Sequence, residues 1–106
     1  MKKQIKKYLP LLEYISKLEV HKRKPFIKKL KKKNSEFLFD LLANFYQGNL
    51  PVAKEIIDQL RPYREVIASL VAPRKSLKAR KTQLVEDDYY PLLITPLLPS
   101  LQQLAT

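Results

Sequence analysis

Few side chains in this sequence could do covalent or acid–base chemistry. The single histidine, His21, lies between Val20 and Lys22 in the most basic part of the chain. That setting fits a surface position or a phosphate contact better than a general acid or base, which needs a partner to set its protonation. Glu86-Asp87-Asp88 is the one run of carboxylates. Adjacent carboxylates on a short linker do not converge on a cation without ligands from elsewhere, so the run reads as an acidic hinge. Ser16, Ser35, Ser69, Ser76 and Ser100 have no histidine partner to make any of them a nucleophile. The chain has no cysteine, and its one glycine is too few for a phosphate-cradling loop. These observations point away from an enzyme and lead us to expect no metal, no cofactor and no small-molecule substrate.

What remains is charge. The 106 residues carry 21 Lys and Arg against 10 Asp and Glu, a net charge of +11. Its distribution is uneven: residues 1–33 carry a net +11, residues 34–60 a net −3, residues 61–85 a net +6 and residues 86–106 a net −3. Basic side chains can simply solvate apolar helices, but blocks this lopsided, with Lys28-Lys29-Leu30-Lys31-Lys32-Lys33 as the densest run, favour a polyanionic partner. Lys and Arg neutralise phosphates and release counterions, a strong, salt-sensitive interaction that is blind to sequence. Most of the basic residues are lysines, which act as point charges. Only Arg23, Arg61, Arg64, Arg74 and Arg80 offer the planar fork of a bidentate contact. No segment resembles a recognition helix with polar residues placed to read base edges. Phe37, Phe39, Phe45 and Tyr46 fall at core spacing in the least basic block, while Tyr8, Tyr14 and Tyr63 each fit an apolar stripe, so base stacking is not expected.

The elements that must position these charges are helical. Ile5, Tyr8, Leu9, Leu12, Ile15 and Leu18 form a stripe at helical spacing over about residues 2–19, which Pro10 should kink or delay. Pro25 can open a second helix carrying Phe26, Ile27 and Leu30. Asn34 or Ser35 can cap a third over 35–47, with Phe37, Leu38, Leu41, Leu42, Phe45 and Tyr46 as core and Gly48 as its left-handed stop. Further helices follow Pro51 and Pro62, and Ser76 can cap a short basic helix from Leu77 to about Val85. Tyr89 to Thr106 carries Pro91, Pro96 and Pro99 among leucines and reads as an extended connector and tail. At about 16 residues, its apolar part is short of the ~20 needed to span a bilayer. The amino-terminal lysines are not followed by the apolar run of a secretory signal, so an intracellular protein is expected. The expected fold is all-α: a small bundle of four to six short, proline-punctuated helices with an extended Leu/Pro-rich tail. It divides into a helical basic domain at 1–85 and an acidic hinge with apolar tail at 86–106. The core should rest on residues 37–46, 52–60 and 63–71.

One stretch is more specific than composition. Residues 47–85 resemble a small basic protein of Polinton (Maverick) elements and adintoviruses. Gly48, Asn49 and Pro51 match its Gly-Asn-Val-Pro-like turn, and Leu60 and Leu70 match helix positions. Ser76, Leu77, Lys78, Arg80, Lys81 and Leu84 match its Ser-Leu-Lys-rich basic motif, and the leucines of 92–104 agree in order with its apolar end. Two features depart from the family pattern. Glu86-Asp87-Asp88-Tyr89-Tyr90 replaces a Gly-Gly-rich segment. The middle helix carries Glu55, Ile56, Ile57 and Asp58 where the family is basic, which suits it to packing. Such proteins are thought to resemble the small basic core peptide of adenoviruses. The resemblance therefore implies a virion component, present in particle and host nucleus, that packs double-stranded DNA.

The expected function is sequence-independent nucleic-acid binding and condensation, with double-stranded DNA as partner and RNA as the alternative. Lys22, Arg23, Lys24, Lys28, Lys29, Lys31, Lys32 and Lys33 would form one phosphate-facing surface, and Arg74, Lys75, Lys78, Arg80 and Lys81 a second. Leu92, Leu93, Ile94, Leu97, Leu98, Leu101 and Leu104 of the tail would dock on a capsid or other core protein, and the chain could self-associate. Two rivals stand beside this reading: a structural adaptor that buries its helices in a protein partner, and a membrane-surface peptide whose tail inserts shallowly among anionic headgroups.

Overall fold

Helices run from end to end of the computed structural model, which describes residues 1–106, and no strand interrupts them. The first apolar stripe folds as α1 (Lys2–Lys17), burying Ile5, Leu12 and Ile15. Pro10 lies inside this helix without ending it. A proline removes the bond to the carbonyl four residues back, and here Lys6 and Pro10 are both exposed, so that carbonyl is open to water. The same holds in α2 (Val20–Lys28): Pro25 sits inside the helix rather than in its first turn, again on an exposed face.

The third helix, α3 (Lys32–Tyr46), starts earlier than the Asn34/Ser35 cap would place it. Ser35 is buried within the helix and donates its hydroxyl to the carbonyls of Lys31 (3.1 Å) and Leu30 (3.3 Å). A buried hydroxyl next to its own backbone satisfies itself there, which removes it from capping. Gly48 ends the helical stretch at φ +76°, the left-handed position where glycine costs least. After Pro51 come α4 (Lys54–Leu60), a 3-10 turn at Arg61–Tyr63 and α5 (Arg64–Leu70). Next is α6 (Leu77–Glu86), whose first turn is capped as expected: the Ser76 hydroxyl accepts from the Ala79 amide at 3.1 Å.

The tail corrects the expectation most. It is not extended but folds as α7 (Tyr90–Leu93), a 3-10 turn at Thr95–Leu97 and α8 (Leu98–Ala105). Pro91, Pro96 and Pro99 each occupy the opening turn of one of these segments, where an amide hydrogen has no helical partner to lose. Three prolines that read as breakers are three helix starts. The chief partner of α8 is α1, just as α2 packs on α6 and α3 on α5. The phenol of Tyr90, fully buried, donates to the Leu12 carbonyl at 2.6 Å, and burial pushes its pKa well above the usual tyrosine range.

One apolar cluster joins all of this. It takes Ile5, Leu12 and Ile15 from α1, Phe37 to Leu42 from α3 apart from Asp40, Ile67 and Leu70 from α5, and Leu84 and Val85 from α6. The tail contributes Tyr90, Leu93, Ile94, Leu97 and Leu101. The boundary expected after residue 85 therefore falls inside one packed unit. The radius of gyration, 12.7 Å, is the ~13 Å of a fully folded chain of about 100 residues, with no segment left trailing. The middle of the chain supplies less than expected: α4 buries only Leu60, and Ile57 is 42% exposed.

Candidate nucleic-acid interface

Packing of α2 against α6 sets the geometry of the basic side chains, because it brings the two basic blocks together. At the join, the Lys81 ammonium donates to the carbonyls of Lys28 and Leu30, both at 3.2 Å. These carbonyls belong to the end of α2 and the turn after it, where a lysine also meets the negative end of the helix dipole. From that join, Lys28, Lys29, Lys31, Lys32 and Lys33 run along the α2–α3 turn, all exposed. Lys22 on α2, Arg74 before α6 and Lys78 within it are exposed as well, and Lys24 is half-buried.

Four of the expected phosphate contacts have other work. Arg23 is 7% exposed. Its guanidinium makes a bidentate pair with Asp88, Nε to Oδ1 at 3.0 Å and Nη2 to Oδ2 at 2.6 Å, and Nη1 donates to the Leu18 carbonyl. Asp88 meets it from a left-handed turn at φ +49°, a conformation aspartate tolerates better than most residues. The third residue of the acidic run is thus a clamp on α2 and not part of a hinge, while Glu86 and Asp87 remain exposed. Arg80 donates to the Ala72 carbonyl at 2.7 Å, lies over the Phe39 ring at 5.9 Å and leaves its buried Nε unpartnered. Lys75 donates to the Ser69 hydroxyl at 2.7 Å and to the Gln83 side chain, tying α5 to α6. Lys81 holds the α2 end as described.

The expected docking leucines are spent internally. Leu93, Ile94, Leu97 and Leu101 are fully buried, and Leu98 and Leu104 pack half-buried against the same core. Only Leu92 is exposed, at 41%. The stripe is packed into the protein's own core, with α8 against α1. No helix is long and apolar enough to cross a membrane. His21 sits at the surface with its Nε2 3.3 Å from the Glu19 carboxylate. Asp40, on the outer face of α3, has its pKa raised by partial burial and by the charge of Glu36, against the opposing pull of Arg80.

Sequence reasoning left two features out of the site. Lys2, Lys3, Lys6 and Lys7 all point to solvent along α1, and the Tyr8 ring stacks on Phe37 at 4.6 Å, which sets that end of α1 beside α3. Their contribution to the first basic block was the available signal. The second is Tyr14, whose spacing fits an apolar stripe and which is 53% exposed beside Phe26. A groove of about 270 Å³ also opens between the end of α3 and α4–α5, lined by Phe45, Tyr46, Leu50, Ile57, Arg61 and Arg64. Its arginines are engaged locally, Arg61 with Asp58 at 3.0 Å and Arg64 over the Tyr46 ring at 5.1 Å. No family model matches the chain, and no curated protein or solved structure does either.

Proposed function

We propose that this protein binds nucleic acid through its phosphate backbone without reading base sequence. Double-stranded DNA is the form that the resemblance of residues 47–85 implies, and packing of that DNA in a virus-like particle is its biological setting. The observation that carries the reading is the junction of α2 with α6, which merges two basic blocks separated in sequence into one field around the α2–α3 turn. Nine of the thirteen side chains assigned to phosphate are free of internal partners: Lys22, Lys24, Lys28, Lys29, Lys31, Lys32, Lys33, Arg74 and Lys78. Interaction of these with phosphates releases counterions, so affinity falls steeply as salt rises.

A duplex-binding titration over a range of salt concentrations tests this. With six to nine phosphate contacts the slope of log K against log salt is about −5 to −8. Replacing Lys28, Lys29, Lys31 and Lys32 together by alanine reduces that slope by roughly 3 to 4 with no preference among duplex sequences. No binding to duplex DNA at low salt, or a slope near zero, overturns the proposal.

A further inference from the structure

We infer that the face shared by α1 and α2 is a stacking platform for unpaired bases, which would make the protein a binder of single strands as well as of duplex; this rests on the phosphate-binding reading above. Tyr14 is the most exposed large apolar side chain of the protein, at 53%. Its ring centroid lies 5.2 Å from that of Phe26 with 55° between the planes. Tyr8 and Phe37, by contrast, stack at 24° with Phe37 buried. Phe26 can meet at most one face of Tyr14, and the exposure of Tyr14 leaves the other to solvent.

The surroundings of this pair distinguish it from a stray surface aromatic. On α2, Lys22 stands four residues before Phe26 and shares its side of the helix, and Lys29, at the cap that ends α2, follows Phe26 by three; both are exposed. On α1, Lys17 follows Tyr14 by three residues and is exposed on its side, while the Lys7 ammonium lies over the Tyr8 ring at 5.3 Å. The carboxylates nearest in sequence are Glu13, half-buried, and Glu19, which faces His21. An open aromatic face fringed by lysines matches how sequence-tolerant single-strand sites are built: cations follow the backbone while bases stack on rings. A duplex, whose bases are already stacked, cannot use the ring and meets only the lysines.

Fluorescence anisotropy with a labelled oligothymidylate of twenty nucleotides and a duplex of the same length, at one salt concentration, separates the two contributions. Tyr14→Leu keeps an apolar, helix-favouring side chain without a π face, and Tyr14→Phe keeps the face. Stacking of one base predicts that Tyr14→Leu weakens oligothymidylate binding about five- to a hundredfold. Duplex affinity stays within about twofold, and Tyr14→Phe retains single-strand affinity. A Tyr14→Leu variant that loses nothing, or loses equally for both nucleic acids with an unchanged melting temperature, overturns the inference. Wild-type protein that binds duplex but not oligothymidylate overturns it alone and leaves phosphate binding standing. Wild-type protein that binds neither removes both.

Discussion

Replacing Arg23 by alanine discriminates between a phosphate contact and a structural clamp. As a surface grip, Arg23 would be dispensable for folding, and surface substitutions fall within about 0.5 kcal/mol of neutral. In the structure its guanidinium is bidentate to Asp88, donates to the Leu18 carbonyl and is 7% exposed. Removing one member of a buried pair costs about 3–5 kcal/mol, because the other charge loses its partner and recovers water only in part. The Asp88 side chain keeps 26% of its exposure, which places the cost near the lower end, about 3 kcal/mol. Domains of this size hold about 5–15 kcal/mol in total, so the loss is a large fraction. At about 4–8 °C per kcal/mol, Arg23→Ala melts roughly 12–24 °C below wild type. Circular dichroism melts of Arg23→Ala, Lys22→Ala, Asp88→Asn and the Arg23→Ala/Asp88→Asn pair measure this. Asparagine also tolerates the positive φ at position 88, so that variant isolates the charge from the backbone. Lys22→Ala should melt like wild type, and the double variant should lose less than the two single losses combined. The reasoning fails if Arg23→Ala melts with Lys22→Ala and instead removes about one unit from the salt slope of DNA binding.

Two further outcomes follow from the same structure. Leu101→Ala removes a fully buried side chain from the contact of α8 with the core and should cost about 2–5 kcal/mol in a denaturant titration, whereas a free docking tail would leave stability untouched. Asp40→Asn tests the carboxyl that burial and Glu36 push upward. A raised folded-state pKa penalises the ionised form, so the substitution should raise the melting temperature slightly at neutral pH. That advantage should shrink as pH falls through the raised pKa and vanish below the unfolded value of about 3.9, and an advantage that grows on acidification would refute the assignment.

The all-helical character was legible because apolar spacing at α1, α3 and α5 is regular enough to outweigh local interruptions, and because Ser76 and Gly48 sit where a cap and a stop belong. Prolines caused the main misreading. Pro25 was expected at a helix start and lies inside one, while Pro91, Pro96 and Pro99 were expected to break helices and begin them. Proline only forbids a particular hydrogen bond; whether that bond is needed depends on which face and which turn the residue occupies, and one-dimensional spacing does not carry that information. The roles of Arg23, Lys75, Arg80 and Lys81 were hidden for a related reason. Each is engaged by a carbonyl, hydroxyl, amide or carboxylate from elsewhere in the chain, and Arg23 and Asp88 are 65 residues apart in sequence.

The way α2 is held explains why a helix with four Lys and Arg among its nine residues can form part of this fold. It buries only Arg23 and Ile27, too little apolar surface to fix a nine-residue helix against the repulsion of its own lysines. Two polar attachments and one aromatic contact make up the difference: Asp88 grips Arg23 near its start, Lys81 meets the carbonyls at its end, and Phe26 leans on Tyr14 between them. Two of these three come from the segment after residue 75, so the position of the first lysine block depends on how the second half of the chain packs. The attachments also differ from the proposed phosphate-binding surface in their response to salt. Exposed lysines meeting phosphate are screened within about 8–10 Å at ordinary ionic strength, whereas a clamp that is mostly buried is screened far less. Raising salt should therefore release nucleic acid well before it loosens α2, and a salt titration of binding reports phosphate contacts rather than unfolding.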